Sequence, residues 1–146
     1  MQHSRLVPST FATVAGIGLL CVIGAVHLLY APGYYMFVAY VGALFYATVA
    51  GAVVVAIGLV SAARLWSWVL GMLLATAAMA GYAVSRTIGL PMFPVLPWQD
   101  PFGLAALVAE AAFIALGLIV LLRHAHQSVQ VKATLSQPSP PAVSMS

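Results

Sequence analysis

The sequence predicts an all-α protein built as a bundle of four transmembrane helices. Hydrophobic residues make up 64% of the 146 positions and charged residues only 5%, whereas soluble domains carry about 25% charged residues. Four apolar stretches each reach the roughly 20 helical residues needed to cross a hydrocarbon core about 30 Å thick. These stretches are continuously apolar rather than alternating, which excludes the strands of a membrane barrel.

The spans are predicted at residues 11–30, 34–62, 65–88 and 102–122. Ala31-Pro32-Gly33 is expected to form a tight turn between the first two. Asp100 and Pro101 are expected to open the fourth span as N-cap and first helical residue. The chain then divides into an N-terminal segment (1–10), a bundle (11–123) and a disordered tail rich in Ser, Gln and Pro (124–146).

The basic residues predict an up-down-up-down bundle in the cell membrane with both termini in the cytoplasm. Cytoplasmic loops of membrane proteins carry the excess of Lys and Arg. Four basic residues fall on one side of a four-span chain, namely Arg5, Arg64, Arg123 and Lys132. Arg86 falls near the other side, joined by Asp100. Trp66 and Trp68 are then expected at the inner membrane interface.

Several functional classes lack their signatures. The five basic residues are scattered and form no nucleic-acid patch. The single cysteine, Cys21, excludes an internal disulfide and is expected to be a small core residue. No phosphate loop, nucleophile elbow or dinucleotide fingerprint is present. We therefore assign no catalytic residue, metal site or cofactor, and we expect a protein that is not an enzyme.

Three ionisable residues lie inside the predicted spans, namely His27, Arg86 and Glu110. An ionisable side chain within the membrane is energetically costly and usually has a function. All three fall in the outer half of the membrane. Because helical side chains lean toward the N-terminus of their helix, the three charged or polar groups are expected to converge at a similar depth in the membrane. Glu110 shares a helical face with Gly103 and Ala106, and Tyr82 lies at about its depth. We predict a polar cluster of His27, Tyr82, Arg86 and Glu110.

Two interpretations of this cluster remain open. In the structural one, Arg86 neutralises Glu110 and His27 or Tyr82 completes the hydrogen bonds. In the functional one, the cluster is the floor of a pocket open to the outer leaflet, where a quinone, a lipid headgroup or another amphipathic ligand could bind. Three functions follow: a non-catalytic module that binds such a ligand or a partner subunit, a quinone-linked redox component, or a small proton-coupled transporter.

The segment between the third and fourth spans is unusually apolar for an outward loop. Pro91, Pro94 and Pro97 recur every third residue, the period of polyproline II, with Phe93 and Trp98 among them. Such a loop could lie on the membrane surface, cap the bundle as a lid or dock onto a partner. The alternative is a stiff connector with an interfacial tryptophan.

Small residues recur every fourth position in the second and third spans, as in Ala43, Ala47 and Gly51 and in Gly71 and Ala75. Such stripes let helices approach closely in lipid. They favour packing within the bundle over a dedicated dimer face. Membrane lipid is the expected surrounding, and a partner membrane subunit or a homo-oligomer remains an alternative.

The chain resembles a group of small four-span bacterial membrane proteins. They share a histidine near the outer end of span one (here His27 in Gly24-Ala25-Val26-His27-Leu28), an Arg-Thr-x-Gly-x-Pro element after span three (here 86–91) and an acidic residue in span four (here Glu110). The architecture is also loosely similar to that of DoxX-like four-helix membrane proteins, some of them tied to quinone-linked redox systems. The resemblance implies the fold and the place of the pocket but no activity.

Overall fold

The computed structural model describes residues 10–135, which form four helices. They are α1 (Thr10–Phe37), α2 (Ala39–Leu59), α3 (Arg64–Thr87) and α4 (Pro101–Leu135). Each is long and apolar enough to cross a membrane. The predicted fold class, an all-α four-helix bundle of a small membrane protein, is confirmed. Residues 1–9 and 136–146, and with them most of the predicted N-terminal segment and the end of the tail, lie outside the described residues.

The helices pack in a ring, with α1 against α2, α2 against α3, α3 against α4 and α4 against α1. One end of this ring holds the α1–α2 corner and the loop 88–100, and we call it the loop end. Here the Tyr40 hydroxyl of α2 donates to the Pro91 carbonyl at 2.6 Å. The Tyr30 hydroxyl of α1 donates to Asp100, the residue before α4, at 2.8 Å. Side-chain hydrogen bonds thus tie the loop to three of the helices.

The apolar core lies toward the opposite end and is centred on Trp68. The Trp68 side chain is fully buried and stacks on Phe113 with ring centroids 5.1 Å apart. Glycines make room for these rings: a Cβ at Gly16 would lie 2.6 Å from the Trp68 ring, and one at Gly71 would strike the Phe113 ring. Small residues at helix crossings therefore serve packing within the bundle, because they admit large aromatic side chains between the helices.

The predicted turn at Ala31-Pro32-Gly33 is wrong. The first helix continues through Pro32 to Phe37, and the chain turns at Val38, which has an extended backbone (φ −143°, ψ 99°). A proline costs one helical hydrogen bond, but membrane helices tolerate it. The true corner depends on Gly42, where any Cβ would collide with the backbone of Tyr35. The second helix, predicted over 34–62, is accordingly shorter and begins at Ala39.

Three further expectations need correction. Trp68 is a buried core residue, although Trp66 is 73% exposed as an interfacial residue should be. Cys21 is exposed on the bundle surface rather than in the core. The last helix extends past residue 123 to Leu135, because no Gly or Pro occurs between Arg123 and Leu135 to stop it.

We predict that Gly16→Val lowers the free energy of unfolding by about 1–3 kcal/mol, since the new side chain overpacks the site against Trp68. Gly18→Val is the matched control, because Gly18 lies in the same helix with open space where its Cβ would be. Thermal unfolding of the two variants in detergent measures the difference. Equal melting temperatures would show that the core is not packed against Gly16.

Candidate ligand-binding pocket

A cavity of about 340 Å³ occupies the loop-end half of the bundle. All four helices and the loop contribute to its wall. The four residues of the predicted polar cluster line it together: His27, Tyr82, Arg86 and Glu110. We call this cavity, with those four residues and Asp100, the polar pocket. The rest of the wall is mostly apolar or aromatic, which is typical of small-molecule sites with a few convergent polar groups.

Arg86 and Glu110 do not form the ion pair that the structural interpretation of the cluster assumed. Arg86 forms its ion pair with Asp100, with Nη2 and Oδ2 3.3 Å apart. The ion-pair partner of Glu110 is His27, at 3.9 Å between Nε2 and Oε1. These are the two ion pairs within the part of the chain that the structure describes. Asp100 rather than Glu110 pairs with Arg86 because Asp100 and Arg86 both lie at the loop end. Glu110 is ten residues beyond Asp100, which is about 15 Å along the helix at 1.5 Å per residue.

The Arg86–Asp100 pair is a well-supported structural contact. The Asp100 carboxylate also accepts the Tyr30 hydroxyl at 2.8 Å and the Gly103 backbone N–H at 3.2 Å. The second bond confirms the predicted N-cap, because a cap side chain accepts from the third residue of the helix. A buried carboxylate with this many donors is compensated in both charge and hydrogen bonding.

Arg86 retains an unused hydrogen-bond donor. Its guanidinium lies 4.4 Å from the centre of the Tyr82 ring, and Nη1 donates to the Ser85 hydroxyl at 3.3 Å. The Nε–H is buried and has no hydrogen-bond partner within the described residues. Unsatisfied buried donors are rare and costly.

The His27–Glu110 pair has fewer hydrogen bonds than the Arg86–Asp100 pair. His27 Nδ1 lies 2.8 Å from the Ile23 carbonyl, and since a carbonyl can only accept, Nδ1 carries the hydrogen. The other ring nitrogen, Nε2, faces the Glu110 carboxyl at 3.9 Å, which is too long for a hydrogen bond. The Glu110 side chain is 3% exposed, yet within residues 10–130 it receives no hydrogen bond. One ligand atom about 2.8 Å from each group could hydrogen bond to both.

The loop 88–100 roofs the polar pocket. Gly89 (φ 78°) ends α3 in a conformation that favours glycine, and Leu90 and Phe93 then pair across a tight turn. Phe93 is buried, with its ring 5.5 Å from that of Tyr34, and Leu96 donates its N–H to the Ser85 carbonyl at 3.0 Å. Of the alternatives for this segment, the structure matches a cap over the bundle.

The remaining loop residues singled out from the sequence lie outside the pocket. Pro91, Pro94 and Pro97 are exposed. Trp98 is 48% exposed and packs edge-on against Tyr82, whose hydroxyl donates to the Trp98 carbonyl at 3.4 Å. A second cleft, of about 270 Å³, lies against Tyr30, Phe37 and Pro94. Tyr34, Phe93 and Leu96 line both this cleft and the polar pocket and therefore form the wall between them.

The polar pocket also has an opening in the side of the bundle, between α2 and α3. Four residues line the pocket and are at the same time exposed on the bundle surface, namely Leu44, Ala47, Ala77 and Gly81. We call this opening the side window. A Cβ at Gly81 would meet no atom within 4 Å. Away from the loop end the gap closes, because Leu74 packs against Gly51 and Ser67 against Gly58.

Sequence reasoning missed several parts of the pocket. Asp100 was identified as a helix cap and not as the partner of Arg86, although its predicted place on the same side of the membrane as Arg86 was a usable signal. Tyr34 was assigned to the start of the second span, whereas it lies in α1 and its ring packs 4.8 Å from that of Phe45. Phe45 is also 5.1 Å from His27. No group of three metal-ligating side chains occurs among the residues that the structure describes.

Comparison of the chain with known protein families, with curated proteins and with solved structures gives no significant match.

We predict that Asp100→Asn lowers the stability of the fold by about 3 kcal/mol, because it leaves Arg86 buried without a counter-charge. A double-mutant cycle with Arg86→Met tests the pairing. We expect a coupling energy above about 1 kcal/mol for Arg86 with Asp100 and a smaller one for Arg86 with Glu110. The reverse order, measured by thermal unfolding in detergent, would restore Glu110 as the partner of Arg86.

Proposed function

We propose that this membrane protein is a non-catalytic module that binds an amphipathic small molecule in the polar pocket. The polar head of the ligand would lie between Arg86 and the His27–Glu110 pair, and its apolar part would extend through the side window into the surrounding lipid. The observation that carries this proposal is the Glu110 carboxyl, a group buried at the pocket wall without any hydrogen bond from the described residues.

The shape and chemistry of the cavity support this assignment. Its volume of about 340 Å³ lies in the usual range for small-molecule sites. The polar groups are few, and Arg86 and Glu110 are buried, whereas the side window is made of exposed small and apolar residues. A ligand that arrives from the bilayer would therefore meet an apolar entrance first and its hydrogen-bonding partners last.

A quinone-linked role is the second candidate. A quinone presents two carbonyl oxygens on opposite sides of a ring, and the pocket is lined by Arg86 and by the His27–Glu110 pair, which could share a proton. The loose similarity to DoxX-like proteins agrees with it. A proton-coupled transporter or a subunit of a larger complex would use the same pocket or the exposed loop residues.

We also propose an up-down-up-down arrangement in the cell membrane with both termini in the cytoplasm and the polar pocket facing outward. The pairing of Arg86 with Asp100 supports this orientation, because it leaves the loop end without net charge. Arg64 and Arg123 lie at the opposite end, where they satisfy the preference of cytoplasmic loops for basic residues.

Native mass spectrometry of the protein extracted in mild detergent tests the binding role. We expect a discrete small mass to remain bound to the native chain. Gly81→Trp should reduce its occupancy at least several-fold, because a large side chain there fills the side window without striking the fold. Glu110→Gln should also reduce the occupancy of the bound mass, because it removes the carboxyl group from the polar pocket.

Gly18→Trp is the matched control, since Gly18 is also exposed with open space around it but does not line the pocket. It should retain the bound mass. Equal occupancy in all variants, or the absence of any mass beyond bulk lipid, would contradict the proposal and favour a purely structural role for the cluster.

A further inference from the structure

We infer that the polar pocket selects a lipophilic cation, such as a protonated or quaternary amine with an apolar body, and that the cation displaces one proton from the His27–Glu110 pair. This inference rests on the proposed binding function and narrows its ligand class. It follows from the charges that line the pocket, the aromatic wall beside them and the side window.

The first step is the charge balance of the pocket. The charged or titratable groups that face Glu110 come from three helices: His27 and Tyr34 on α1, Tyr82 and Arg86 on α3, and Asp100 at the start of α4. Between Ala39 and Leu59, α2 has no acidic or basic side chain, and its Tyr40 is engaged with the loop while Tyr46 faces outward. Arg86 and Asp100 cancel each other at 3.3 Å. The net charge therefore depends on His27 and Glu110 alone.

The second step is the proton count of that pair. With no proton on Glu110 Oε or on His27 Nε2 the pair has one negative charge, and with one proton it is neutral. A net charge in a cavity surrounded by lipid is strongly unfavourable. The empty pocket therefore holds one proton on the pair. When a cation enters, it supplies the compensating positive charge, and the proton leaves to bulk water.

The third step is the wall that the cation would meet. The Phe45 ring lies 5.1 Å from the His27 ring and 4.8 Å from that of Tyr34, and Phe93 closes the roof 5.5 Å from Tyr34. Aromatic faces attract organic cations, with the strongest effect where water is excluded. An anion would lack a free counter-charge, since the charge of Arg86 is already balanced by Asp100.

The route of entry fits the same ligand class. Lipophilic cations partition into membranes, and the side window connects the pocket with the bundle surface at Ala47, Ala77 and Gly81. These small residues leave room for a bulky apolar body. A strongly hydrated metal ion would have to lose its water between apolar residues, and the described residues offer no set of three ligands to replace it.

Calorimetric titration of the purified full-length chain in dodecyl maltoside tests the inference with three probes of similar shape. They are tetraphenylphosphonium (cationic), tetraphenylborate (anionic) and triphenylphosphine oxide (neutral). We expect tetraphenylphosphonium to bind at least tenfold more tightly than the other two. Its affinity should rise with pH, at most tenfold per unit, and titrations in two buffers of different ionisation enthalpy should give one proton released per cation bound.

Glu110→Gln should weaken tetraphenylphosphonium binding at least tenfold and abolish its pH dependence, whereas Glu110→Asp should retain both. Gly18→Trp should behave as the native chain. The proton count of the native protein needs no variant, so the inference stays testable even if Glu110→Gln does not fold. Equal binding of cation and neutral probe, or no proton release, would overturn the inference and leave the proposed function standing. Failure of all three probes, with no retained mass in native mass spectrometry, would overturn both.

Discussion

The structure depends on one constraint, the cost of a charge in lipid. Arg86 lies near the end of α3 with 5% of its side chain exposed, and only a counter-charge at contact distance makes that position stable. Asp100 supplies it from the other end of the loop, 14 residues along the chain. The same carboxylate caps α4 and accepts from Tyr30 of α1. One ion pair thus fixes where α4 begins, how the loop closes and which helices meet at the loop end.

This pairing has a chemical consequence for the pocket. Because Arg86 is already balanced, the carboxyl of Glu110 has only the neighbouring imidazole to share its charge or proton. The bundle therefore contains two polar centres of different character. In the first, the Asp100 carboxylate accepts hydrogen bonds from three groups, and in the second, the Glu110 carboxyl is buried beside a cavity and accepts none from the described residues. A fold that needed only stability could have satisfied Glu110 from its own side chains, and it is this unsatisfied carboxyl on which the proposed binding function rests.

Much of this could be predicted from the sequence, for identifiable reasons. Apolar runs define the helices because only a closed hydrogen-bond pattern survives in lipid, and the inward face of Glu110 follows from its register with Gly103 and Ala106, both buried. Other features depend on three-dimensional neighbours. Pro32 is a turn signal in isolation, but the chain turns where Gly42 permits a close approach. The partner of Arg86 was misassigned because two carboxylates lie on α4 or at its start, and the sequence alone does not say which is within reach.

The length of α4 has a practical consequence. Its 35 residues extend about 52 Å at 1.5 Å per residue, whereas the hydrocarbon core is about 30 Å thick. The remaining length, about 22 Å or four turns, therefore extends beyond the bilayer at the end opposite the loop, without a break. A soluble domain fused in helical register to this projection would be held at a fixed angle and distance from the bundle. Such a rigid handle would give a 15.2 kDa membrane protein the added mass and asymmetry that particle alignment in electron cryomicroscopy requires.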